Sequence, residues 1–152
     1  MIIPYNELGK TKEILKGKKT VLAGGCFDLL HYGHLKFLKA AAEEGDFLII
    51  ALESDEFINM HKRKTPVHNQ MERAEILSEL NFVDLVILLP LFDDEKRYDE
   101  LVEAIRPHTI AVTEGDKFLD KKRRQAEKFG ADVKVVIPLV KNFSTRKIVS
   151  EF

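Results

Sequence analysis

Residues 20–34 read Thr20-Val21-Leu22-Ala23-Gly24-Gly25-Cys26-Phe27-Asp28-Leu29-Leu30-His31-Tyr32-Gly33-His34. A short apolar run ends in two glycines, and a loop leads to two histidines three residues apart at the start of a helical pattern. Strand, glycine turn and helix in that order open a strand–helix–strand unit. Gly24 and Gly25 carry no Cβ, so the backbone there can come close to an anion. A helix N-terminus turns free N–H groups and the positive end of its dipole toward the same place. Imidazoles at i and i+3 lie on one side of the first turn and reach one ligand together. The stretch therefore predicts a site that holds a nucleotide's phosphates at the end of a buried strand.

Outward from this segment, apolar runs and amphipathic periods alternate. Strands are predicted at 19–24, 47–52, 82–89, 109–112 and 133–137. The run Phe47-Leu48-Ile49-Ile50-Ala51-Leu52 is apolar throughout, as in a parallel strand covered on both faces. Helices are predicted at 33–44, 69–80 with Asn69 as its cap, 93–105 and 117–129, the last stopped by Gly130. Ser144 reads as the cap of a final helix. Residues 6–16 read as a short amphipathic helix, making 1–17 an N-terminal helical extension. Residues 55–68 are polar and basic with Pro66, and read as a flexible crossover. The expectation is one α/β domain over 1–152, a doubly wound, Rossmann-like, five-stranded parallel sheet. Such sheets bind ligands at the carboxyl ends of their strands. Segments 24–34, 53–55, 113–116 and 141–145 all fall there.

Composition narrows the function classes. The chain has 152 residues, enough for a real core, and 45% hydrophobic with 32% charged residues is ordinary for a soluble globular protein. A net charge of −1 argues against a nucleic-acid surface. A single cysteine rules out an internal disulfide framework and fits a reducing, cytoplasmic setting. No stretch has the length of a membrane span, and the start, Met1-Ile2-Ile3-Pro4-Tyr5, lacks the basic and apolar pattern of a secretion signal.

The block from Gly25 to His34 resembles the G-x-F-D-x-x-H-x-G-H signature of the cytidylyltransferase-like nucleotidyltransferases at every fixed position. Three further stretches follow in the order of that family: Lys62-Arg63-Lys64, Gln70-Met71-Glu72-Arg73 and Ser144-Thr145-Arg146-Lys147-Ile148. The resemblance spans about residues 18–152. Within the family, residues 72–77, Val83-Asp84, Ile105-Arg106-Pro107, Gly115-Asp116 and residues 137–140 look like the adenylyltransferase domain of ADP-heptose synthases. Glycerol-3-phosphate cytidylyltransferases come next, and Lys62-x-Lys64 fits them. Glu114 stands where the family carries glycine, and Arg146 where it carries threonine or serine.

The resemblance implies transfer of a nucleotidyl group from a nucleoside triphosphate to a sugar or polyol phosphate such as heptose-1-phosphate, with release of pyrophosphate. ATP is favoured over CTP as donor. The runners-up are CTP with glycerol-3-phosphate, FMN adenylyl transfer, and a nucleotide-binding module without catalysis. The acceptor phosphate is already a nucleophile, so the chemistry asks for alignment and charge neutralisation rather than a strong base. His31, His34, Lys62 and Arg73 are the implied catalytic residues. Gly24, Gly25, Cys26, Phe27, Gly33, Lys64, Glu114, Gly115, Asp116, Ser144 and Thr145 would surround the nucleotide. Asp28 and Lys141 would meet the acceptor. Mg²⁺ would accompany the triphosphate with few protein ligands. A homodimer is implied, with no nucleic-acid or membrane partner.

Other readings of these residues fit less well. His31 and His34 as zinc ligands would need two more ligands, and Cys26, His61, His68 and His108 make no recognised spacing. Gly9-Lys10-Thr11 imitates the end of a phosphate-binding loop, but proline stands at position 4 where glycine is required and no strand is predicted before it. The basic run from Lys121 to Arg124 reads as a solvated helix face.

Overall fold

The computed structural model describes residues 1–138 as alternating strands and helices. The strands are β1 (Ile2–Pro4), β2 (Thr20–Gly25), β3 (Phe47–Leu52), β4 (Leu85–Leu88), β5 (Thr109–Thr113) and β6 (Asp132–Ile137). All pair in parallel, in the order β1-β4-β3-β2-β5-β6. The helices are α1 (Thr11–Ile14), α2 (Tyr32–Ala42), α3 (Asp55–Lys62), α4 (Gln70–Ser78), α5 (Glu95–Ile105) and α6 (Leu119–Phe129). From β2 the chain winds outward through β3 to β4, then crosses to β5 and β6 on the other side. The order reverses between β2 and β5, and that is where doubly wound sheets open a crevice.

The sheet is buried on both faces because its strands alternate with period two. In β3, Leu48, Ile50 and Leu52 pack with Phe37, Leu38 and Ala41 of α2 and with Ala74 and Leu77 of α4. Phe47, Ile49 and Ala51 pack on the opposite face with Leu101, Val102 and Ile105 of α5 and Ala126 of α6. Local signals set the helix ends. Asn69 and Glu72 form a reciprocal capping box on α4. Asp94 caps α5, and Gly130, at φ 76°, ends α6 in the left-handed conformation that favours glycine.

Three expectations are corrected. The sheet has six strands, not five, because Ile2–Pro4 pairs with β4, Ile2 lying opposite Val86. The N-terminal stretch is thus not simply a helical extension: β1 leads into a 3₁₀ segment, Tyr5–Lys10, and then the single turn of α1. A three-residue edge strand shows too little periodicity to read, and only its partner β4 defines it. Residues 55–68 are not a plain crossover, since Asp55–Lys62 is helical. Its signal was present, with Ser54 Oγ accepting from the Phe57 amide at 3.1 Å. The helix buries only Ile58, so its apolar period is faint. The predicted final helix at Ser144 lies outside the described residues.

Candidate functional site

β2 delivers the chain to the carboxyl end of the sheet, and α2 carries it away. Between them His31 is the N-cap of α2 and His34 its third residue. The His34 amide donates to His31 Nδ1, and the His31 amide donates to His34 Nδ1, each at 3.3 Å. The two rings stack with centroids 3.7 Å apart. A nitrogen that accepts from an amide carries no proton, so in each neutral ring the proton sits on Nε2. Burial pushes His34 down to about 3, and the charges of His31 and Lys62 add to the shift. His31 is also lowered by burial. The pair is therefore neutral at neutral pH rather than imidazolium, and the His34 ring also bonds the Leu29 backbone.

Phe27 holds this pair from behind. Its ring is buried and meets His34 edge to face at 5.2 Å. Its backbone sits at φ 44°, a conformation costly for a large side chain. A Cβ on Gly25 would lie 2.9 Å from the Phe27 ring, so glycine there leaves room for the ring. Phe27 was expected to touch the nucleotide; the structure makes it a wedge beneath His34. Gly33 lies in the first turn of α2.

Arg73 is placed differently from its expected role. Its side chain is fully buried. Nη1 donates to the Cys26 and Glu53 carbonyls at 2.6 and 2.9 Å, Nε to the His68 carbonyl at 3.1 Å, and Nη2 to Asp55 Oδ1 at 2.6 Å. With these donors engaged, the guanidinium ties the ends of β2 and β3 to α3 and α4. Gln70 braces the neighbouring edge, its Nε2 donating to the carbonyls of Leu52 and Leu89 at 2.9 and 2.8 Å. Asp28 is likewise internal. Its Oδ1 accepts from the Val67 and His68 amides at 2.8 and 3.2 Å. Lys64 Nζ lies 3.2 Å from Oδ2 as its counter-ion. Asp28 and Lys64 thus join two loops, where acceptor and nucleotide contacts were expected. Lys62 has no ion-pair partner among the described residues and stands exposed at the end of α3.

A cleft of about 430 Å³ opens at the strand ends, between the sheet, α3, α5 and α6. Of the residues expected at the ligand site, Gly24, Gly25, Cys26, Lys62 and Asp116 line it, whereas His31 and His34 do not. Burial raises the Cys26 thiol, so Cys26 is a wall and not a nucleophile. Asp116 Oδ1 accepts from the Phe118 amide and Oδ2 pairs with Lys122, each at 2.7 Å. Glu114 and Gly115 form the turn after β5; Gly115 has φ 78°, and the Glu114 amide donates to the Ile137 carbonyl at 3.2 Å. Lys141, Ser144 and Thr145 lie outside the described residues.

The cleft also contains residues that sequence reasoning passed over. Glu53, Tyr98 and Lys122 meet within it, and Phe57, Phe92 and Phe118 give it aromatic walls. Tyr98 donates to Glu53 Oε1 at 2.9 Å. Burial lifts Glu53 to about 7 despite Tyr98, Lys122 and Arg73, and lifts Tyr98 as well. Lys121 and Lys122 belong to the run read as a solvated face; both reach the cleft, paired with Glu95 and Asp116. Only the position of Glu53 after a strand was a legible hint.

The sequence profile described as Cytidylyltransferase-like matches residues 22–150. The bifunctional protein HldE of Geobacter sulfurreducens is 39% identical over 142 residues, 91% of this chain and 28% of that protein. The chain therefore spans little more than a quarter of that curated relative. The FAD synthase of Thermococcus kodakarensis is 38% identical over 121 residues, 78% of each chain. A solved structure described as the lipopolysaccharide core biosynthesis protein of Thermoplasma volcanium matches with a TM-score of 0.66 at 30% identity, covering 84% of this chain and all of that one.

Proposed function

The chain belongs to the cytidylyltransferase-like family, and on that premise we propose that it transfers an adenylyl group from ATP to a sugar or polyol phosphate. The observation that carries this reading is the mutually capped His31–His34 pair at the N-terminus of α2, within reach of the Lys62 charge. An oxygen of the acceptor phosphate attacks the α-phosphorus. The new P–O bond forms as the bond to the bridging oxygen breaks, and pyrophosphate leaves with that electron pair. Negative charge grows on the non-bridging and leaving oxygens. Neutral Nε2–H donors from His31 and, on leaving the Leu29 backbone, from His34 would meet that charge without the desolvation cost of a buried cation. Lys62 supplies the positive charge, close enough to depress His34. Arg73 holds the loops that aim these groups.

No group of three His, Cys, Asp or Glu among the described residues could bind a metal ion. In this reading magnesium would be held by the triphosphate's own oxygens and water, where it neutralises charge. No helix among the described residues is long and apolar enough to cross a membrane.

A second reading, FMN as the acceptor, is favoured by the aromatic walls Phe57, Phe92, Tyr98 and Phe118 and by the FAD synthase relative, which matches over most of both chains. The test is pyrophosphate release with Mg²⁺, crossing ATP and CTP against heptose-1-phosphate, glycerol-3-phosphate and FMN. Release with ATP and heptose-1-phosphate is expected. Release with FMN instead selects the second reading. Nucleotide binding without release from any pair rejects both.

A further inference from the structure

Glu53 follows β3, and its backbone is locked: its amide donates to the Gly25 carbonyl at 3.0 Å and its carbonyl accepts from Arg73. The side chain lines the cleft yet is only 9% exposed. Tyr98 occupies Oε1, while Oε2 is buried and has no hydrogen-bond partner among the described residues. Buried polar atoms are nearly always paired, so an unpaired carboxylate oxygen in a cleft wall points to a donor that arrives with a ligand.

The groups facing this carboxylate are Tyr98 from α5, Lys122 from α6, Arg73 from α4 and Cys26 from the loop after β2. The two cations are committed elsewhere, Lys122 to Asp116 and Arg73 to Asp55. Leu22, Ala51, Leu89, Leu101 and Val102 line the same cleft with apolar side chains, and a hydrogen bond made in apolar surroundings is strengthened. The terminal torsion of a carboxylate is soft, so Oε2 can turn to a donor seated on the cleft floor.

We propose that Glu53 is a specificity-determining residue of the acceptor subsite, accepting at Oε2 a hydrogen bond from a hydroxyl on the polyol part of the phosphorylated acceptor. This rests on the transfer reading above. Glu53 shares its cleft with Gly24, Gly25 and Asp116 but enters it from β3. The sheet order reverses between β2 and β5, the crevice that takes the nucleotide in such folds, and β3 lies on the far side of β2. The phosphorylated acceptor of the transfer reading brings hydroxyl groups as its neutral donors, not an ammonium group. A neutral hydroxyl satisfies Oε2 and adds no charge. Both a sugar phosphate and the ribityl phosphate of FMN carry such hydroxyls.

The test compares wild type with Glu53→Gln. At pH 8, above the value of about 7 to which burial lifts Glu53, the amide keeps an oxygen for Tyr98 and presents an NH₂ where Oε2 was, turning an acceptor into a donor. Glu53→Ala runs in parallel, in case the amide reverses. One arm uses heptose-1-phosphate and its monodeoxy analogues; the other uses FMN and a flavin phosphate whose chain lacks hydroxyls. Each is measured by calorimetric binding and by steady-state pyrophosphate release with MgATP. The expected result is that one wild-type arm rejects the deoxygenated analogue by at least about tenfold, and that both variants lose this discrimination. The KM for ATP should stay within about twofold, as for a residue that meets only the acceptor. Discrimination that survives in the variants overturns the proposal, as does a KM for ATP that rises with it, or a wild type that binds neither probe. Probe binding that is lost in the variants, from a wild type that releases no pyrophosphate, upholds the subsite and rejects the transfer reading.

Discussion

His31 and His34 cap each other, the amide of each donating to Nδ1 of the other at 3.3 Å while their rings stack at 3.7 Å. One pair of contacts sets the helix start, the tautomers and the direction of the two Nε2–H groups. Replacing His34 with Ala removes a donor to the developing charge and half of the cap. Turnover is expected to fall at least about a hundredfold, the usual loss for such a donor. Stability should drop by only about 1 kcal/mol, the size of a lost cap. Pyrophosphate release and thermal unfolding of the same sample separate the two; near-normal turnover rules His34 out of the chemistry.

The buried state of His34 has a pH signature. Its pKa is about 3 in the folded protein against 6.5 for a free ring. Between those values the unfolded chain takes up a proton that the folded chain refuses, so this site lowers stability as pH falls from 6.5 toward 3. Denaturant midpoints over that range should decline more steeply in wild type than in His34→Ala. Parallel curves would mean that His34 is not held neutral.

Glu53 behaves in the opposite sense. Its folded pKa is about 7, above the ordinary 4.5, so its contribution is most favourable below 4.5 and is lost as pH rises to 7. The shift corresponds to about 3 kcal/mol. Glu53→Gln should therefore be more stable than wild type at pH 8, with the gap closing by pH 4.5. Equal denaturant midpoints at pH 8 would contradict the burial cost assigned to this carboxylate.

Arg73 should act through stability first. Arg73→Ala leaves Asp55 without its partner and the carbonyls of Cys26, Glu53 and His68 without their donor. A loss of about 3–5 kcal/mol is expected, as when one member of a buried ion pair is removed. Lysine cannot reproduce the fork, so Arg73→Lys should rescue little. An unchanged unfolding midpoint with a raised KM for ATP would restore Arg73 to direct phosphate contact.

Lys62 and Lys64 should separate cleanly. Lys62→Ala removes an exposed cation without an ion-pair partner among the described residues, so turnover should fall with stability nearly unchanged. Lys64→Ala leaves the buried Asp28 without its counter-ion, so stability should fall as well. Unfolding midpoints beside MgATP kinetics for both variants decide this; identical profiles would erase the distinction drawn between them.

The chain announces its site unevenly. The 24–34 segment is local, so its strand, loop and cap could be read from neighbouring residues, as could Asn69 with Glu72 and the stop at Gly130. Arg73 shows the limit. A helix position can be read from sequence, but the four partners that convert a phosphate-type arginine into a clamp come from residues 26, 53, 55 and 68. Lys64 and Asp28 are 36 positions apart and pair only after folding.

By itself, then, the sequence determined the alternation of strands and helices, the parallel sheet buried on both faces, and the histidine motif at the end of β2, because each depends on spacing within a few residues. Tertiary structure alone decided that Ile2–Pro4 joins as a sixth strand, that Phe27 wedges under His34, and that Glu53 from β3, Tyr98 from α5 and Lys122 from α6 meet in one cleft. Their pairing depends on how strand ends and helices are brought together across the sheet, and the burial that shifts Glu53 and His34 exists only once those elements have packed.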